Sequence, residues 1–409
     1  MNIRRAYKYR LYPTVEATKW LEGQIETHRR IYNRLLELRN HIYEVFGEST
    51  DSFEEQRMLT RIRKRCKFLS SCDLSSLGAT LQRLDDSFQR FFKGLGKFPR
   101  FKGKQHFNSI TFQPGRVRKA VGNPRQWDGK GFRLLPPTNG ERNARVRFTV
   151  MDKDCPKPNH IVGHIECGMR WHRDMPAGTK IKTASVKREG SHWFVVFSCE
   201  APQPSPSCGT GAVGIDVGLQ TFVTTSNNEQ MGDSRFLEDR LRQLRVINRA
   251  ISRCTRGSSR YKKRCLERQN LMRKIADMRK TSHCTVAARL FDKYEEVVAE
   301  ALNIRGLARG RLSRRVLDAA WGSFLLRLKT AAETRGGRVT DVNPAGTSQT
   351  CSFCGTVVQK DLSIRVHDCP NCGLRIDRDH NAAINILARK DMPKQKKARK
   401  TIRKRKTSP

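Results

Sequence analysis

Acidic residues are scarce in this chain of 409 residues: 39 Asp and Glu stand against 81 Lys and Arg, a formal net charge of +42. A compact chain so charged repels itself. A merely solvated basic surface does not account for the excess, and a polyanion is expected to neutralise much of it. Long apolar runs are also missing. No stretch approaches the ~20 apolar residues of a membrane span, and the opening MNIRRAYKYRLYP has no apolar signal core. Nucleic acid rather than a membrane surface is therefore the expected partner, and a soluble, intracellular protein is expected. No internal repeat is evident. Nor is there a disulfide framework: of 13 cysteines, nine (Cys66, Cys72, Cys155, Cys167, Cys199, Cys208, Cys254, Cys265 and Cys284) are scattered singly. The other four form two tight pairs, which reads as a reducing compartment with one metal site.

Along the chain, residues 3–12 read as a strand that stops at Pro13, followed by a helical stretch carrying Trp20, Leu21, Ile25, Ile31, Tyr32, Leu35 and Leu36. Leu74, Leu77, Leu81, Leu84, Phe88, Phe91 and Leu95 recur at intervals of three and four, predicting an amphipathic helix whose stripe packs in a core. Asp73 is its expected N-cap and Gly94 or Gly96 its end. From FPRFKGK (98–104) to about 200 the pattern is strand-like, with a hairpin over 181–188 and 192–200. PQPSPSCGTG (202–211) reads as a linker and the main domain boundary. Beyond it come an apolar run, AVGIDVGL (212–219), and two basic helical segments over 233–256 and 258–280. A helix over 282–292, the strand VVAE (297–300), a helix over 314–335 and a strand over 337–343 follow. A short helix over 380–389 precedes a tail in which nine of the thirteen residues from Lys394 to Lys406 are Lys or Arg.

CSFCG (351–355) and CPNCG (369–373) give C-x2-C, fourteen residues, then C-x2-C. Each pair offers two thiolates from one turn, and Cys351, Cys354, Cys369 and Cys372 together suit one tetrahedral Zn²⁺. Four sulfur ligands leave no open position, so this zinc is expected to be structural. A redox or iron–sulfur role fits the spacing less well.

Three acids attract a different reading. Asp216 interrupts an apolar strand, where an ionised carboxylate is costly unless it is paired or binds a cation; pairing with an Arg is the bland alternative. Glu300 ends VVAE, with an exposed strand end as its alternative. Asp379 lies in the run DRDHNAAINIL (377–387), with a helix cap as its alternative and Asp377, two residues earlier, as its competitor. Two strands and a helix supplying three carboxylates are what a two-metal phosphodiesterase needs to hold two Mg²⁺ about 4 Å apart. His380 is read as a bystander rather than a general base.

At these residues a family resemblance emerges. GIDVGL, AEALNIRGL, TSQTCSFCG and CPNCGLRIDRDHNAAINI, with YKYRLYPT, IYNRLLELRN, FPRFKGK and SITF before them, resemble TnpB. TnpB is the RNA-guided endonuclease family of insertion sequences, held to be ancestral to type V CRISPR effectors. The resemblance spans nearly the whole chain. It implies a multidomain α/β plus β-barrel fold with an RNase H-like (RuvC) nuclease core into which a zinc ribbon is inserted. A wedge-like β-barrel would comprise 1–12 and 96–205, and a helical recognition insertion 13–95. The RuvC-like domain would comprise 206–348 and 374–390, the zinc ribbon 349–373, and a basic disordered tail 391–409. By position the resemblance makes Asp216, Glu300 and Asp379 the catalytic, Mg²⁺-binding acids and the four cysteines the ribbon's ligands. It further implies a guide RNA encoded near the transposon end and a double-stranded DNA target beside a short recognition motif. A monomer on RNA in the cytoplasm of a prokaryotic cell is expected.

Lys97, Arg100, Lys102 and Lys104 are candidates for nucleic-acid backbone contacts, with a solvated loop as the alternative. The basic segments over 233–280 are candidates for flanking a heteroduplex. Three other readings compete with the transposon nuclease. A compact type V CRISPR effector would use the same chemistry with a guide from an array. A non-cleaving RNA-guided repressor should have lost acids that are all present here. A zinc-ribbon nucleic-acid-binding protein leaves Asp216 unexplained.

Overall fold

The computed structural model describes residues 2–50, 52–63, 66–114, 117–118, 126–127, 131–137, 143–151, 161–203, 206–361 and 364–392. Most of the expected basic tail, from residue 393 on, lies outside the described residues. The chain divides into two compact units, Met1–Gln203 and Pro204–Pro409.

In the first unit, β1 (Asn2–Tyr12) alternates cationic and apolar residues, burying Tyr7, Tyr9 and Leu11 on one face. Thr14 caps α1 (Val15–Phe46), its hydroxyl accepting from the Ala17 N–H. Three more helices follow: α2 (Ser52–Arg63), α3 (Lys67–Ser70) and α4 (Leu74–Phe92). Asp73 caps α4, and Leu77, Leu81, Leu84 and Phe88 pack with Ile31, Tyr32, Leu35 and Leu36 of α1. The expected stripe does not run its full length. Phe91 is 37% exposed within the helix, and Leu95, 60% exposed, lies beyond it, since the helix ends at Phe92 and Gly94 adopts φ +66°.

The remaining strands of this unit are β2 (Ser109–Phe112), β3 (Val117–Arg118), β4 (Gln126–Trp127), β5 (Phe132–Leu135), β6 (Asn143–Met151), β7 (Ile161–Arg170), β8 (Lys180–Glu189) and β9 (His192–Pro202). Seven strands form one sheet in the order β2-β8-β9-β1-β7-β6-β5, with antiparallel neighbours throughout. Its edges meet where the Phe132 N–H donates to the Gln113 carbonyl at 3.3 Å, so the sheet curls back on itself around Tyr9, Phe112, Phe148 and Phe197.

The second unit contains β10 (Ala212–Val217), β11 (Val223–Thr225), β12 (Gln230–Met231), α5 (Leu241–Ser252), α6 (Ser259–Lys293), β13 (Glu296–Glu300), α7 (Ile304–Leu307), α8 (Ser313–Ala319), α9 (Trp321–Arg335), β14 (Arg338–Val342), β15 (Val366–Asp368), β16 (Arg375–Asp377) and α10 (Arg378–Ala388). Five strands form a mixed sheet, β12-β11-β10-β13-β14, in which β10, β13 and β14 run parallel. One face, with Val213, Ile215, Val297 and Ala299, packs on Leu290, Phe291, Phe324 and Leu328. On the opposite face, Val298 packs against Ile386 of α10.

Several helix boundaries differ from the sequence reading. The second basic segment and the helix after it are one helix, α6; Thr281 does not interrupt it, because its hydroxyl donates back to the Asp277 carbonyl at 3.0 Å. The first basic helix starts at Leu241, not 233. Ahead of it the Leu237 and Glu238 N–H groups donate to the Asp318 carboxylate, a partner from far along the chain that holds a turn instead. The segment 314–335 is broken at Ala320, whose φ is +50°. The last helix begins at Arg378 rather than 380. Finally, the β15–β16 hairpin carries the strand pairing past residue 373, to Asp377 opposite Val366.

Candidate active site and metal centre

Parallel pairing of β10 with β13 sets Ile215 opposite Ala299, so the next residues, Asp216 and Glu300, occupy matching positions at the two strand ends. By strand alternation both side chains leave the sheet on the face covered by α10. Gly214, two residues before Asp216, is what lets that helix sit down. A Cβ there would lie 2.2 Å from the Ala383 carbonyl oxygen and 2.7 Å from the Leu387 nitrogen. The close approach brings the first turn of α10, with Asp379, to the ends of the strands. A Cβ on Gly218 would stand 3.6 Å from Asp379 Oδ2.

The electrostatics follow from that convergence. Burial, reinforced by the charges of Glu300 and Asp379, pushes the Asp216 carboxyl up to about 8, against a smaller opposing effect of Arg378. Burial also raises Glu300, opposed by the hydrogen bond from the Thr347 hydroxyl and by the charge of Arg389. Asp379 receives Arg378 Nε and Nη2 on Oδ1, both at 3.2 Å, and lies 3.5 Å from Arg365 Nη1 through Oδ2. Asp216 and Glu300, both raised at neighbouring strand ends with Asp379 close by, fit a site completed by divalent cations.

The two competing acids of the last helix separate by role. Asp377 Oδ1 accepts the N–H groups of Asp379 and His380, at 2.8 and 3.1 Å, and is the cap of α10. Asp379 is therefore not the cap, and its carboxylate is the one beside Asp216. His380 Nε2 is engaged by the Ser226 carbonyl at 3.1 Å. Of the acids that precede Glu300, Glu296 is held by Arg338 and Thr340, and Asp292 by Arg335.

The cysteines gather independently of the acids. All four Sγ atoms lie within 4.8 Å of one another, with Cys351–Cys372 at 3.6 Å and Cys354–Cys369 at 3.5 Å. Zn–S bonds of about 2.3 Å in a tetrahedron place sulfurs about 3.8 Å apart, so the set fits one Zn²⁺. Each pair sits in the same turn: Gly355 and Gly373 adopt φ of +75° and +71°, and their N–H groups donate to the Cys351 and Cys369 carbonyls. Hydrogen bonding with Thr356 draws the Cys354 thiol down to about 5, favouring the thiolate. Among the described residues this is the one cluster of three or more ligands drawn together tightly enough to share a single ion. None of the described cysteines is in a disulfide.

Lys97, Arg100, Lys102 and Lys104 belong to the other unit, on the loop after α4. That loop is anchored: the Lys102 N–H donates to Asn33 Oδ1 at 2.8 Å, and its carbonyl accepts from Arg29 and Asn33. Sequence reasoning passed over Thr347, Asn381 and Asn385, which are buried around the acids and the first cysteine turn. The available signal was two amides, four residues apart, on the inward face of an otherwise apolar helix.

Family models match residues 1–48 ("Helix-turn-helix domain", of the IS605 OrfB type), 195–311 ("Probable transposase", IS605 OrfB) and 321–386 ("Cas12f1-like, TNB domain"). A relative from Streptomyces pristinaespiralis, named "Putative RNA-guided DNA endonuclease", is 29% identical over 95% of this chain and 89% of its own. The "TnpB-like protein L770" of Acanthamoeba polyphaga mimivirus is 28% identical over 60% of this chain and 50% of its own. These matches support a resemblance to TnpB. The fold of this chain is that of a chain in a "Cas12f1-sgRNA-target DNA complex", at a TM-score of 0.61 and 15% identity over 94% of this chain and 99% of that one. In this chain the span matched as helix-turn-helix is a strand followed by one helix of 32 residues. No helix among its described residues is long and apolar enough to cross a membrane.

Proposed function

We propose that the chain is an RNA-guided DNA endonuclease that hydrolyses phosphodiester bonds at a RuvC-type site. In this reading the second unit is an RNase H-like core carrying the zinc ribbon, and the first combines a wedge-like barrel with a helical recognition insertion. Asp216, Glu300 and Asp379 are the catalytic acids and hold two Mg²⁺, and the four cysteines hold one structural Zn²⁺. The observation that carries the reading is the meeting of the three carboxylates where β10, β13 and α10 converge, with the Asp216 carboxyl pushed up to about 8. A lone structural acid would be matched by a cation; Asp216 is instead raised by its burial and by the charges of Glu300 and Asp379.

Two bound Mg²⁺ would supply Lewis acidity, spreading charge from the scissile phosphate and lowering the pKa of water. Asp216 would be one of the residues holding the cations, its burial strengthening the attraction. Glu300 is oriented by the Thr347 hydroxyl. Arg365 and Arg378 temper the charge of Asp379 and stand near enough to attract a phosphate. His380, engaged by the Ser226 carbonyl, takes no part in proton transfer. The net charge of +42 suits a guide RNA and target DNA as partners, with Lys97, Arg100, Lys102 and Lys104 assigned to backbone contacts.

The test is to sequence the RNA that copurifies with the chain and to offer DNA bearing the matching target. Cleavage with Mg²⁺, lost in EDTA and lost in Asp216→Ala, is expected. A discrete RNA encoded at an element end, rather than in a repeat array, is expected as well. Cleavage that persists in EDTA or in Asp216→Ala would remove the mechanism.

A further inference from the structure

The segment between the acids and the zinc turn is held from one side by α10, through two buried amides. Asn381 Oδ1 accepts the Ser352 N–H at 2.9 Å and its Nδ2 donates to the Thr350 carbonyl at 2.8 Å. Four residues on, and so on the same helix face, Asn385 Nδ2 donates to the carbonyls of Thr347 at 2.9 Å and Thr350 at 2.7 Å. Asn381 is fully buried, Asn385 nearly so, and Thr347 is 2% exposed. Both backbone partners of Asn381 define which end of its amide is oxygen. The two residues thus clamp Thr347–Ser352, a stretch that ends in the first cysteine turn and begins at the hydroxyl on Glu300.

Thr347 has one hydroxyl proton and two acceptors, Glu300 Oε1 and the Pro344 carbonyl at 3.1 Å. Directing the hydroxyl at the carboxylate requires the Thr347 backbone to stay in place. Asn385 is the side chain that holds that backbone, and it stands six residues from Asp379 on the same helix. One helix therefore carries the third acid and fixes the orientation of the second.

We infer that Thr347 and Asn385 are positioning residues for cation binding by Glu300, and that the Asn381–Asn385 clamp ties the acid site to the zinc ribbon. The inference rests on the acids binding divalent cations, as proposed above. Groups that orient a metal ligand typically contribute 10–100-fold to affinity, and a similar loss is expected here. Zinc itself should stay bound when only the Glu300 end of the clamp is cut, because the four thiolates do not depend on Thr347.

The test uses the full, zinc-loaded chain with its copurifying RNA, and Mn²⁺ as the probe, followed by electron paramagnetic resonance. The active-site component is the Mn²⁺ binding that Asp216→Ala removes. Thr347→Val, nearly isosteric, and Asn385→Leu should each weaken that component roughly 10–100-fold while zinc content stays at one per chain. Thr347→Ser should restore it to within about twofold of the original, which a merely space-filling role would not do. Affinities within about twofold of the original in both Thr347→Val and Asn385→Leu overturn the inference. If Asp216→Ala removes no Mn²⁺ binding at all, the reading of the acids falls, and this inference with it. The two failures are thereby told apart.

Discussion

Asp216 and Glu300 stand at matching positions on two parallel strands, one step beyond the pair Ile215–Ala299, so a single sheet face delivers both carboxylates to α10. The first prediction concerns what this adjacency does without metal. The Asp216 carboxyl titrates near 8 in the folded chain against an ordinary 3.8. Between those values the folded state holds a proton that the unfolded state has released. Metal-free stability should therefore be fullest below about pH 4 as far as this group is concerned, and fall as pH rises toward 8. Asp216→Asn should remove that slope and stabilise the metal-free chain at pH 8 by on the order of 1–3 kcal/mol, while abolishing cleavage. Thermal melts in EDTA across that pH range check it. A melt that rises with pH by the same amount in both proteins would count against the shared burial of the acids.

Gly214 tests the packing that brings Asp379 in. Its hydrogen points at the backbone of α10, and a methyl there would lie 2.2 Å from the Ala383 carbonyl oxygen. Backbone cannot swing aside as a flexible side chain can. Gly214→Ala should cost about 3 kcal/mol or more and suppress cleavage even in molecules that remain folded. Chemical denaturation with parallel cleavage assays would show it; full activity would mean that α10 has room to retreat.

Asp377 and Asp379 should part company on mutation. Removing the cap with Asp377→Ala should lower stability by about 1 kcal/mol and leave cleavage within a few-fold of the original. Asp379→Asn should keep stability and lose cleavage. The reverse assignment, with activity dependent on Asp377, would show that the cap and the ligand had been exchanged.

These two acids also mark where the sequence stopped being informative. Asp216 stood out as the one acid inside an apolar strand and Glu300 as the acid that closes the apolar run VVA, environments visible in the letters themselves. The choice between Asp377 and Asp379 was not visible, because helix caps and metal ligands draw on the same residue type and differ only in where the oxygens point. The zinc site was legible since spacing alone brings each cysteine pair into one turn. Thr347 and Asn385 were not, because their partners are backbone atoms brought near only by the folded sheet. The start of α5 failed for the same reason: Asp318 satisfies the Leu237 and Glu238 N–H groups from 81 and 80 residues away. Leu95 kept the helical period, yet the helix ends at Phe92, before the stripe is complete.

Zinc should be stoichiometric and needed for the fold of its ribbon. Atomic emission should find one zinc per chain, and Cys351→Ser or Cys369→Ser should lower both the zinc content and the melting temperature. Because Ser352, directly after Cys351, donates its N–H to Asn381 of α10, the loss of order should reach the helix that carries Asp379. Hydrogen exchange over residues 378–388 would report it. Unchanged protection there in a zinc-free variant would mean that ribbon and helix are independent.

The most direct test of the three-acid site is anomalous scattering from Mn²⁺ in crystals of the RNA-bound chain. Two peaks about 4 Å apart, in contact with Asp216, Glu300 and Asp379, are expected. No peak between these residues, or density that leaves Asp379 outside the coordination of either ion, would contradict the account.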